Sequence, residues 1–161
     1  PHMHLVLTGN AERKYLNEIN RLSHAIGMGG KIIYLPTVRT AFLPALMANS
    51  KMCVASTTGN SFPYSVIYSQ CALAPLIATQ QIADVTGDGA IITNLDDIDA
   101  IAKSIDTILN DEAKRNELIE AERANSKRFE LKKLAMAHQQ IYQDVLTELC
   151  KKQILSDRGL Y

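Results

Sequence analysis

The chain has 161 residues, 47% of them hydrophobic and 21% charged, enough for about one domain with a buried core and far from the composition of disorder. Seventeen Lys and Arg balance seventeen Asp and Glu, so no net field draws the chain to nucleic acid or to an anionic membrane. The longest apolar run, Ala72 to Ala78, is far short of the roughly 20 residues that cross a bilayer, and no signal-like segment precedes it.

Pro1-His2-Met3 reads as a scar of cloning, so the natural segment is expected to start near residue 4. His4 to Thr8 is a short apolar run ended by Gly9-Asn10, a buried strand leaving through a glycine turn. Tyr15, Leu16, Ile19, Leu22 and Ile26 recur at three- and four-residue steps, which predicts a helix stopped by the glycines of 27–30. Lys31 to Leu35 is the next strand, closed by Pro36, and Thr40 to Ser50 a short helix with Pro44 in its first turn. Met52 to Ala55 is a third buried run. The segment Ser56 to Pro63 is rich in small hydroxyl residues that cannot pack a core but can present backbone N–H groups, and it is the first place to seek a ligand.

Pro63 suits the first position of a helix through Tyr64 to Leu73, and Pro75 cuts that helix before the strand Leu76 to Thr79. Gly87-Asp-Gly89 turns into the last strand, Ala90 to Thr93. Three helices follow: an apolar stripe from Ile98 to Leu109 capped by Asp96 or Asp97, a highly charged helix over Asp111 to Lys127, and a third carrying Leu131, Leu134, His138, Ile141, Val145 and Leu149. The residues after 152 are expected to be a tail. Five strands alternating with helices predict an α/β fold, a Rossmann-like parallel sheet with helices on both faces followed by C-terminal helices. Ligands of such sheets bind beyond the carboxyl ends of the strands, where Gly9, Pro36 and the 56–63 loop all fall.

Cys53, Cys71 and Cys150 have neither metal-site spacing nor an even count, which fits reduced thiols and no metal. His24 and His138 read as partly buried structural residues of amphipathic helices, with no second ligand at helical spacing. Asp96, Asp97 and Asp99 read as a charged first turn and Asp84 as a cap or turn residue.

The order of these pieces resembles the C-terminal, donor-binding half of a GT-B glycosyltransferase of the retaining group 1, or family 4, kind. Leu5 to Gly9 and Ile33 to Val38 are similar to the family's opening strand and its F-L-G-x-V turn; Ile82 to Ile92 is similar to its "lpEvvgdgalLv" stretch, with Asp84 on the acid; Ile108 to Arg115 and Ile141-Tyr142 are similar to its later helices. The signature P-S-x-x-E-G-F-G-L-P-x-x-E-A-M-A-x-G-x-P-V falls on residues 56–76, where Phe62 and Pro75 survive.

The resemblance implies that the first signature glutamate approaches the donor sugar, the second holds the ribose, and the loop amides with the helix N-terminus hold the diphosphate. Here the two glutamate positions carry Asn60 and Tyr68. Neither supplies the charge of a carboxylate or its two-oxygen grip on a ribose.

The implied donor contacts are Gly9, Pro36, Val38, Asn60, Ser61, Phe62, Tyr64, Ser65 and Tyr68, with no catalytic residue and no cofactor, a nucleoside-diphosphate sugar being the substrate. The family's first βα unit, with its diphosphate-binding Arg and Lys, has no counterpart, so the chain is expected not to turn over alone. The expected partners are a nucleotide sugar, the N-terminal half and a glycan acceptor of a surface polysaccharide or glycoconjugate. The expected setting is cytoplasmic, peripheral to a membrane in the full protein. The altered glutamates leave two rivals open: a non-catalytic scaffold or interaction module of the same fold, and another GT-B enzyme such as a nucleotide-sugar epimerase. An unrelated parallel α/β binding protein is a further alternative.

Overall fold

A computed structural model describes residues 3–56 and 62–157, the last five of these by backbone alone. It divides into two compact units, 1–46 and 47–161. Among the described residues there are five strands, all parallel, paired as a set of two and a set of three.

In the first unit β1 (Leu5–Thr8) and β2 (Ile32–Leu35) pair from Leu5↔Ile32 to Thr8↔Leu35, joined by α1 (Arg13–Ala25). The helix ends as its glycines predict. Gly27 takes φ +72°, its N–H donates to His24 O (3.1 Å) and the Met28 N–H to Ser23 O (2.7 Å), the paired bonds of a left-handed helix stop. Only Ser23 of α1 is buried. Leu16 and Ile19 are half-buried, and they line a gap of about 140 Å³ between helix and strands.

Helix α2 (Leu43–Ala48) spans the boundary between the units. In the second, β3 (Cys53–Ala55), β4 (Leu76–Ala78) and β5 (Ala90–Ile92) lie in the order β3-β4-β5, with Cys53↔Leu76 and Leu76↔Ala90 in register. Central β4 is wholly buried because both of its faces are covered, as a parallel strand requires. Leu76 and Ala78 pack with Ala55, Val66 and Ile82, while Ile77 points the other way onto Ile108 and Leu118. Val66 belongs to α3 (Tyr64–Cys71), and Ile82 closes a short 3₁₀ turn ahead of α4 (Ala83–Thr86). Ile108 and Leu118 come from α5 (Ile98–Asn110) and α6 (Glu112–Ser126). The last helix, α7 (Leu131–Asp157), is exposed at every residue from 131 to 152.

Three local expectations are corrected. Pro63 stands at the cap of α3 rather than inside its first turn, with ψ 73°. His24 and His138 are exposed, not partly buried; His138 Nδ1 lies 2.8 Å from Leu134 O. The five strands form two sheets rather than one, since apolar periodicity shows that a run is a strand but not what it pairs with.

Candidate functional site

The expected donor residues fall in both units. In residues 1–46, Gly9 and Pro36 follow the carboxyl ends of adjoining parallel strands, so the register of β1 and β2 sets them side by side. Gly9 takes φ +108°, a conformation that L side chains rarely adopt. Its carbonyl accepts a hydrogen bond from the Tyr34 hydroxyl (2.8 Å), and that hydroxyl accepts one from the Ala11 N–H (3.1 Å). Tyr34 therefore clamps the turn after β1, a role that its place in an apolar run concealed. Pro36 is exposed and Val38 half-buried.

In residues 47–161 the carboxyl edge of β3 leads to α3. Asn60 and Ser61 lie outside the described residues. Phe62 and Tyr64 are exposed, their rings 5.1 Å apart at 73°, an edge-to-face pair. Ser65 is exposed and Tyr68 half-buried; Tyr68 is one turn on from Tyr64 and shares its helix face. Residues 62–71 contain no Lys, Arg, Asp or Glu. An anion here would meet the positive end of the helix and the Ser65 N–H, since the Tyr64 and Val66 N–H groups already donate to Phe62 O and Pro63 O (both 3.0 Å).

Two further features were not visible as sites in the sequence. Beyond the carboxyl ends of β4 and β5 a cleft of about 440 Å³ opens between residues 79–81 and 92–96. Its walls are brought together only by strand pairing, with the Thr93 N–H donating to Ala78 O at 2.9 Å.

The second feature is a buried polar layer beneath α3. Asn125 Nδ2 donates to Gln70 Oε1 (2.7 Å) and Val85 O (2.8 Å), while Gln70 Nε2 donates to Thr86 O (2.7 Å). Beside them Glu122 is fully buried, neither carboxylate oxygen has a hydrogen-bond partner among the described residues, and burial pushes its pKa up to about 8, against a weaker opposing pull from the Leu76 backbone. The signal for this layer was present: Leu118, Glu122 and Asn125 follow one another at steps of four and three along α6. The charged composition of that helix masked it. Cys53 feels the same burial, which pushes its thiol up; a hydrogen bond with Ser69 opposes this and the nearby Glu122 adds to it.

The acidic run does structural work, since the Asp97 carboxylate caps α5 by accepting from the Ala100 N–H (3.0 Å). Asp84 lies exposed in the first turn of α4. Among the described residues no group of three or more His, Cys, Asp or Glu side chains is placed to hold a metal, and no helix is long and apolar enough to cross a membrane.

Parallel strands, helices on both faces and loops gathered at the carboxyl edge define an α/β fold of the GT-B glycosyltransferase kind. Residues 1–111 match the family of group 1 glycosyl transferases, and the chain belongs to it. Among solved structures it is similar to sucrose-phosphate synthase from Thermosynechococcus elongatus, with TM-score 0.77 and 18% identity over 90% of this chain and 39% of that one. It is also similar to HepE of Anabaena, solved in complex with UDP-glucose, with TM-score 0.76 and 19% identity over 91% of this chain and 42% of that one. The chain thus spans about two fifths of the length of these structures. Comparison with curated protein sequences gives no match.

Proposed function

We propose that this chain is the donor-binding half of a group 1 glycosyltransferase. It would hold a nucleoside-diphosphate sugar at the start of α3 while the rest of the protein supplies the acceptor site. The observation that carries this reading is the first turn of α3: it opens at the carboxyl edge of a parallel sheet with Phe62, Tyr64 and Ser65 exposed around it, on a helix whose residues 62–71 include no Asp or Glu. Backbone amides at such a position bind phosphate whatever the neighbouring side chains are. HepE, of the same fold, holds UDP-glucose.

In this reading Asn60 contacts the donor sugar and Tyr68 the ribose. Transfer is retaining, to a glycan or glycoconjugate acceptor, and the chain alone does not turn over. The second reading, a non-catalytic module of the same fold, rests on one observation: Asn60 and Tyr68 stand where the family signature carries glutamates.

A thermal-shift titration with UDP, GDP, ADP and CMP separates the two. One nucleotide at about a hundred times its dissociation constant should stabilise the chain by about 2.7 kcal/mol, and Asn60→Ala and Tyr68→Ala should weaken that effect while leaving the circular dichroism of the free chain unchanged. No shift with any nucleotide overturns the donor-site reading in favour of the scaffold.

A further inference from the structure

We propose that the cleft beyond β4 and β5 binds an uncharged saccharide, on residues distinct from those at the start of α3. The cleft is open to solvent on one side and holds about 440 Å³, a volume within the range of small-molecule sites. Its chemistry is that of a polyol binder. Gln80, Gln81 and Asn94 present primary amides, each able to donate to one hydroxyl and accept from another, Thr93 adds a hydroxyl and Asp96 a carboxylate. Ile92 and Leu95 supply apolar surface for the C–H face of a sugar ring.

The amide of Asn94 is already oriented. Its Oδ1 accepts from the Asp96 N–H at 3.0 Å, while its amino group makes no hydrogen bond among the described residues. The Gln80 and Gln81 side chains are exposed and likewise make none there.

What the lining lacks decides the ligand class. Among the described residues no Lys, Arg or His borders the cleft, and its single charge is the Asp96 carboxylate. A phosphate would find repulsion where a diol finds an acceptor. A cation would find one carboxylate, too few for a hard metal ion.

The site and the start of α3 lie on the same edge of the three-stranded sheet, but no residue of α3 lines the cleft. The saccharide could be part of an acceptor glycan or the sugar of a nucleotide sugar, since the hydroxyl chemistry is shared. The inference stands on the cleft itself and does not require the donor-site reading.

Amide ¹⁵N–¹H spectra of the full chain, titrated separately with maltotriose, UDP-glucose, UDP and inorganic phosphate to high millimolar concentration, test it. Maltotriose, UDP-glucose or both should shift the amides of Gln80, Gln81 and 93–96 saturably, and UDP and phosphate should leave them in place. A response to maltotriose alone identifies an acceptor sugar, and a response to UDP-glucose that also moves Phe62 to Tyr68 identifies the donor's sugar. Gln80→Leu and Asn94→Leu should each weaken the response about tenfold, the loss of one or two hydrogen bonds, with an unchanged melting temperature. Gln80→Leu decides should Asn94→Leu disturb the start of α5.

The proposal is overturned if neither saccharide moves these amides, if phosphate moves them equally, or if folded Gln80→Leu binds as the parent does. UDP-glucose shifts confined to Phe62 to Tyr68, with none from maltotriose, would retain the donor site and discard this one.

Discussion

Glu122 is the residue whose ionisation should shape the stability of the chain. Its carboxyl is fully buried and has no hydrogen-bond partner among the described residues, so the neutral acid is the form the fold tolerates. The folded pKa of about 8 lies above the ordinary value of 4.5. The stabilisation from holding that proton is therefore complete below about pH 4.5 and is lost as pH rises through about 8, at roughly 1.4 kcal/mol per pH unit between those values. Glu122→Gln, permanently neutral and of the same size, should remove this slope and raise the melting temperature most at pH 8. Melting curves from pH 5 to 9 check it: parallel curves for parent and variant would show that Glu122 is not the proton-binding group. Burial also keeps the Cys53 thiol protonated. Leu73 holds φ +56° at the end of α3, where the family signature has glycine, with bonds from the Leu73 N–H to Gln70 O (3.2 Å) and from the Ala74 N–H to Ser69 O (3.1 Å) completing the same helix stop as in α1. Leucine in an apolar stretch gives no hint of that conformation.

At the level of elements, α6 is tied to two others by one side chain. Asn125 bonds Gln70 of α3 and Val85 O of α4, and its Oδ1 accepts from Arg128 Nη1 at 2.8 Å. Asn125→Ala would strand the Val85 carbonyl and the Gln70 amide inside the protein. Each buried polar group left unpaired costs about 1–3 kcal/mol, so a loss of at least 2 kcal/mol is expected in urea unfolding, with the same slope as the parent. A loss under about 0.5 kcal/mol would mean that the network carries no net stability. Elements of this kind were legible in the sequence to within a residue or two wherever apolar period and punctuation agreed. Asp97 does cap α5, and glycines do end α1. Pairing was not legible, because strand order depends on contacts between segments that periodicity does not relate. For the same reason the start of α3 could be read from Pro63, whereas the cleft beyond β4 and β5, assembled from residues 79–81 and 92–96, could not.

Across the whole molecule apolar burial is uneven, and local stability should follow it. Among the described residues every buried hydrophobic residue falls between Ala55 and Leu118, and none lies within 1–46. At the other end α7 runs 27 residues with Leu134, Ile141, Val145 and Leu149 all exposed. A helix without packing depends on its own propensity, which barely holds such a length in water. Opening free energy should therefore be lowest in α7, low in β1 and β2, where two strands and one half-packed helix share a gap, and highest in β4, whose three residues are buried on both faces. Native-state hydrogen exchange should show the amides of Ile141 to Leu149 exchanging first, those of Ile33 to Leu35 next, and those of Ile77 and Ala78 only on global unfolding. Equal protection in β2 and β4 would overturn this order and show that residues 1–46 open only with the core.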